Sequence, residues 1–143
     1  MIFPLHILEF PNKFAILLAL TSNAGSANFQ KQPLQNTTLY KHVIKTTQSW
    51  ANAERLMYVV GATQTQSLAE IRELIPNAFL LVPGVGAQGG NLEAVCQYGM
   101  NANVGLLVNA SRSIIYASND TNFAEAARLE ASKIQQKMAT LLV

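Results

Sequence analysis

Four short apolar runs recur along the 143-residue chain, FAILLAL at 14–20, LMYVVGA at 56–62, FLLVPG at 79–84 and VGLLVN at 104–109, and none of them alternates with polar residues. Runs this short and continuous fit strands buried on both faces, as in a parallel sheet. Helical spacing fills the gaps between them. Ser67-Leu-Ala-Glu70 reads as a capping box ahead of Leu68, Ile71 and Leu74, with Pro76 ending the element. A helix is expected from Asn91 to Tyr98, closed by Gly99, and a longer one carries Phe123, Ala127, Ala131, Ile134, Met138 and Leu141 at three- and four-residue steps. Another is expected from Thr38 to about Glu54, with Leu39, Val43 and Trp50 turned inward. Four strand-then-helix units imply an α/β fold with a parallel sheet. The sheet is either open and doubly wound or part of a (β/α)₈ barrel. Length by itself favours the open sheet, because a whole barrel takes about 250 residues and four units amount to half of one.

Composition narrows the classes of function. Half of the residues are hydrophobic and 13% are charged, which fits a globular chain, and the net charge of +2 is spread without a basic run, so no nucleic-acid partner is expected. The run at 14–20 is too short for a membrane span, which needs roughly 20 residues, and Glu9 and Pro11 ahead of it argue against a leader peptide. A cytoplasmic protein with no membrane partner is expected. Cys96 is the single cysteine and reads as a small buried hydrophobe in a reducing compartment. His6 and His42 lie far apart, and with one cysteine and one aspartate no metal site is expected.

In parallel α/β folds the loops that follow the carboxyl ends of strands build the site. Here those loops are Thr21-Ser22-Asn23-Ala24-Gly25-Ser26, Pro83-Gly84-Val85-Gly86-Ala87-Gln88-Gly89-Gly90, and Asn109-Ala110-Ser111-Arg112-Ser113. They offer neutral hydrogen-bonding groups, glycines and one arginine, a set suited to gripping a ligand rather than transferring protons. Arg112 carries a planar fork that matches phosphate or carboxylate. Glycines at 84–90 permit close approach of a ligand to the backbone, and the N–H groups at the helix start near Asn91 are potential anion donors. Phosphate sites in (β/α)₈ barrels are frequently made by the loops after strands seven and eight, which would make the last two strands here the seventh and eighth. The chain has no Walker-type motif, and Gly84-Val-Gly86 lacks the third glycine of a dinucleotide fingerprint.

The phrases LLALTSNAGSANFQ, MYVVGATQ, FLLVPGVGAQGGNLEAV and GLLVNASRSIIYAS resemble the C-terminal half of orotidine 5′-phosphate decarboxylase in its longer bacterial form, from about Leu8 onward. The resemblance implies strands five to eight of a (β/α)₈ TIM barrel, with residues 1–143 forming a single incomplete domain. It implies a cofactor-independent carboxy-lyase that converts orotidine monophosphate to uridine monophosphate and carbon dioxide, and that acts as a homodimer. By motif, Ser22 corresponds to the serine that hydrogen-bonds the pyrimidine, Gln88 to the glutamine bridging that serine and the phosphate, and Arg112 to the phosphate-binding arginine. Backbone N–H groups around Gly89 and Ser111 would complete the phosphate cradle. Ala24 stands where many members have proline. The family's chemistry also needs a D-x-K-x-x-D motif on an earlier strand, and this chain has none: its one aspartate is Asp120.

The leading expectation is therefore the substrate-holding half of such a decarboxylase, with no catalytic residue of its own and no turnover as an isolated chain. The alternative is a non-catalytic nucleotide- or phosphate-binding half-barrel. A sugar-phosphate isomerase or an aldolase would need acid and base residues that these loops do not show. The expected partners are a nucleotide (orotidine or uridine monophosphate) and either a second copy or an N-terminal half barrel, because four units leave sheet edges and an apolar face uncovered.

Overall fold

The computed structural model describes residues 3–86 and 89–142. Its elements follow the chain as α1 (Phe3–Leu8), β1 (Ala15–Leu20), β2 (Pro33–Leu34), β3 (Thr37–Thr38), α2 (Leu39–Gln48), β4 (Leu56–Val60), α3 (Thr65–Leu74), β5 (Leu80–Pro83), α4 (Leu92–Gly99), β6 (Leu106–Asn109), α5 (Ser111–Ile115) and α6 (Phe123–Ala139). The four apolar runs form one parallel sheet in the order β1-β4-β5-β6, so each strand lies beside its successor among the apolar runs. A minor antiparallel pair, β2 with β3, sits in the excursion between β1 and α2. Short 3₁₀ turns at Ala24–Asn28 and Ala53–Arg55 complete the path.

The sheet buries one of its faces completely. Leu56, Tyr58, Val60, Leu80, Val82 and Leu106 point toward the helices and are buried with Ile44, Leu68, Ile71 and Val95. The opposite face is not covered as the run pattern suggested: Leu18, Val59, Leu81 and Leu107 stand in register across all four strands, yet Leu18 is 59% and Leu107 45% exposed, as is 49% of Ile16. Among the described residues no strand or helix covers this second face. Among the described residues both β1 and β6 are edge strands.

Several helix readings shift. The helix expected over 38–54 stops at Gln48, and Asn52 takes a left-handed conformation (φ 60°) before the 3₁₀ turn. Its buried face is Tyr40, Ile44 and Thr47, one residue on from the expected Leu39 and Val43, while Trp50, beyond the helix end, packs against the core as expected. Tertiary hydrogen bonding explains the phase: Thr47 Oγ1 meets the buried Tyr58 hydroxyl at 2.8 Å, and the Tyr40 hydroxyl donates to Glu70 Oε2 at 3.1 Å. Glu70 is thereby withdrawn from the expected capping box, and α3 begins at Thr65, leaving Ser67 inside its first turn. Asn91, expected as the first residue of its helix, caps α4 instead, its Oδ1 accepting from Ala94 N at 2.9 Å. In α6, Ile134 and Met138 pack on the core but Phe123 is exposed.

Candidate functional site

At the carboxyl ends of the strands the rim is tied from strand to strand by main-chain bonds. Gly61 N donates to Leu20 O at 2.8 Å, Ala62 N to Pro83 O at 2.9 Å, and Gly84 N to Asn109 O at 3.3 Å. The loops that follow are thereby held side by side. β1 reaches this rim through a bulge, since Leu18 pairs with Val59 and Leu20 with Val60, leaving Ala19 extra. Bulges re-aim the residues beyond them and are frequent beside functional sites.

The glycine loop after β5 folds back on itself. Gly90 N donates to Gly84 O at 3.1 Å, Gly86 N to Gly90 O at 3.0 Å, and Gly89 N to Gly86 O at 2.8 Å. Position 90 has no room for a side chain: an added Cβ would collide with Ala62 Cβ and lie 2.6 Å from Gly84 O. The glycine there is required by this close approach rather than by a ligand.

Ser111 and Arg112 open α5 directly after β6, and together with Pro83, Gly84, Val85, Asn109 and Ala110 they line a pocket of about 200 Å³. Arg112 is exposed, and its guanidinium makes no hydrogen bond or ion pair with the described residues. Ser111 is held by Asn109, whose Oδ1 accepts from Ser111 Oγ at 2.7 Å and from Ser111 N at 3.2 Å. Asn109 was not singled out from the sequence, although Asn-x-Ser after a strand is a familiar side-chain-to-backbone turn.

Ser22 lies at the far end of the rim, in the loop after β1, against Gly61 of the loop after β4. A Cβ on Gly61 would overlap Ser22 Oγ and sit 2.6 Å from Ser22 N. The Ser22 hydroxyl is buried and has no partner among the described residues. The rim runs from Ser22 through Gly61, Ala62 and Gly90 to Gly84 and the Arg112 pocket. Gln88 lies outside the described residues. The N–H groups of Gly89 and Ser111, expected to face a phosphate, are both turned inward here, to Gly86 O and Asn109 Oδ1.

Burial pushes the Cys96 thiol up, which keeps it protonated inside the core. Among the described residues no three His, Cys, Asp or Glu side chains group for a metal, and no helix is long and apolar enough to cross a membrane.

A four-stranded parallel βα sheet with its candidate residues gathered on the carboxyl rim is the architecture of one half of a (β/α)₈ barrel. The comparisons agree. The signature of the orotidine 5′-phosphate decarboxylase / HUMPS family matches residues 8–127. An orotidine 5′-phosphate decarboxylase of Christiangramia forsetii is 61% identical over 135 residues, covering 94% of this chain and 50% of the relative, and one of Flavobacterium johnsoniae is 56% identical over the same shares. In solved structures, Leishmania donovani OMP decarboxylase superposes with a TM-score of 0.73 at 30% identity over 90% of this chain and 50% of that one. Leishmania donovani UMP synthase gives 0.75 at 33% over 90% and 28%. The chain belongs to the orotidine 5′-phosphate decarboxylase / HUMPS family, and it spans about half the length of the curated relatives it matches.

Proposed function

We propose that this chain is the substrate-holding half of an orotidine 5′-phosphate decarboxylase, a single incomplete domain that grips orotidine or uridine monophosphate and leaves proton delivery to residues it does not contain. The observation that carries the reading is Arg112, an exposed guanidinium with no partner among the described residues, at the mouth of the pocket between the glycine loop and α5. A planar fork in that position suits a phosphate, with charge-assisted bonds that are worth about 1.5–3 kcal/mol. Ser22, with no partner among the described residues on the loop after β1, would take the pyrimidine, and Gln88 would link the two ends. Gly89 and Ser111 would contribute their N–H groups only after giving up the bonds to Gly86 O and Asn109 Oδ1, so part of the binding energy is spent on rearrangement.

The partner is a complementary set of four βα units, either a second copy or an N-terminal half barrel. The uncovered row Leu18, Val59, Leu81 and Leu107 supports this reading. So do two apolar grooves, one between β6 and α6 at Leu107, Ile134 and Met138, the other beside β1 at Leu18, Val43 and Trp50. A buried free Cys96 supports a reducing, cytoplasmic setting.

Because the sequence holds no D-x-K-x-x-D segment, a nucleotide-binding half barrel without chemistry is the second reading. Calorimetric titration with uridine monophosphate tests both. Binding that falls at least tenfold in Arg112→Ala is expected, at about 1.4 kcal/mol per tenfold. Absence of any binding by the unaltered chain overturns the reading. Turnover of orotidine monophosphate by the chain alone overturns its non-catalytic part.

A further inference from the structure

Ser22 itself is gripped by nothing but its neighbours, and those neighbours are held with unusual completeness. Both main-chain groups of Thr21, the residue before it, end on glutamine side chains from different parts of the fold. Thr21 N donates to Gln30 Oε1 at 2.8 Å, and Thr21 O accepts from Gln64 Nε2 at 3.1 Å. Thr21 Oγ1 also donates to Gln30 Oε1 at 3.1 Å and lies against Asn23 Oδ1. Gln64 comes from the same turn as Gly61, to whose carbonyl its own N–H donates at 3.0 Å. The turn 61–64 therefore touches the Ser22 loop twice, with the bare Gly61 backbone under Ser22 and an amide on Thr21.

An amide side chain can present either end, and Lys31 decides which. Its Nζ donates to Gln64 Oε1 at 2.7 Å. An ammonium only donates, so the oxygen must face Lys31 and the NH₂ must face Thr21 O. Lys31 in turn is anchored through its N–H on Ser26 O at 3.1 Å.

We propose that Gln64, oriented by Lys31 and paired with Gln30, is a positioning residue that sets the pose of Ser22 and thereby the affinity for the pyrimidine end of the nucleotide. This rests on the assignment of Ser22 to the base and Arg112 to the phosphate made above. Gln64 acts through Thr21 and touches no ligand. Its removal weakens recognition of the base and leaves the phosphate end unaffected.

Two ligands and one ligand-free measurement test this on the full chain. Uridine monophosphate and ribose 5-phosphate are titrated calorimetrically against the unaltered chain, Gln64→Leu and Gln64→Glu, and amide hydrogen exchange is followed at Thr21, Ser22 and Asn23. Gln64→Glu keeps an acceptor for Lys31 but sets a carboxylate against Thr21 O, so it is expected to be as damaging as Gln64→Leu. The expected result is about a tenfold loss for uridine monophosphate in both variants, from one or two lost hydrogen bonds. Ribose 5-phosphate affinity should be unchanged, and exchange should be faster at residues 21–23 but not in the glycine loop. Unchanged exchange, unchanged uridine monophosphate affinity, or equal losses for the two ligands overturns the proposal. An unaltered chain that binds neither ligand instead overturns the phosphate and base assignments, and the proposal falls with them.

Discussion

Arg72 offers a perturbation whose size follows from geometry. It projects from the last turn of α3 at the amino-end rim of the sheet, opposite the site, and its guanidinium is spread over backbone carbonyls of three loops. Nε donates to Gly99 O at 2.9 Å, Nη1 to Ala78 O at 2.7 Å and to Ile75 O at 3.0 Å, and Nη2 to Gly99 O at 2.6 Å and Gly105 O at 3.2 Å. These carbonyls lead into β5, end α4 and precede β6, so a single side chain fixes the entries of two strands. Burial draws the guanidinium below its ordinary value, yet arginine stays charged at any working pH. Arg72→Met keeps the aliphatic stem and removes every donor. Taking the three shortest bonds at about 1.5 kcal/mol each sets the loss at about 4.5 kcal/mol. For a chain of this size that is a fall of about 10–15 °C in Tm. Thermal and urea unfolding, each with and without uridine monophosphate, are the assays. Arg72→Lys, which returns one point donor in place of the fork, should recover less than half. A loss below about 1 kcal/mol in Arg72→Met would refute the reasoning, because it would mean that water replaces the guanidinium at little cost. A change in ligand affinity at temperatures where the variant is folded would refute the separation of the two rims.

Three other outcomes are expected. Ala24→Pro should raise stability by about 0.4–1 kcal/mol in urea unfolding, because position 24 opens the 3₁₀ turn and Asn23 already holds the extended conformation (ψ 152°) that precedes proline well. Leu107→Asp, on the uncovered sheet face, should abolish association with a complementary half in sedimentation velocity, since it removes about 1.5–3 kcal/mol of apolar burial and buries a charge instead. The Lys41 ammonium, 2.8 Å from Glu70, holds that carboxyl below its ordinary value of 4.5. Its contribution is therefore complete above that value and is lost as pH falls through the lower folded value. Glu70→Gln should accordingly flatten the acid limb of a stability profile, by less than about 1 kcal/mol for so exposed a pair.

The parts of the fold that could be read from the residues were those fixed by local pattern. The four apolar runs became the four parallel strands, and the segment from Asn91 to Gly99 became a helix, because both signals act over a few neighbouring residues. The phase of α2 was not legible, since Thr47 and Tyr40 are polar at one end and reach Tyr58 and Glu70 across the fold. The capping box at Ser67 failed for the same reason: its glutamate has a better partner thirty residues away. The loops that hold Ser22, the glycines and Arg112 were recognisable by composition and position. The groups that hold those loops, Asn109, Gln30 and Gln64, were not, because a neutral amide on a surface turn has no signature until its partner is known.

Hydrophobic patterning in this chain describes more than the chain covers. Ile16, Leu18, Leu81 and Leu107 are as apolar as the residues behind them, yet they form the exposed side of the sheet. A strand selected to stand alone at a water interface would alternate. These do not, a composition suited to strands covered on both faces. The carboxyl rim points the same way: among the described residues it holds an arginine with no acidic partner and a serine hydroxyl with none, and the sequence has no D-x-K-x-x-D segment. If a complementary half supplies the missing residues, as proposed, closure of the sheet and assembly of the chemistry would be one event rather than two.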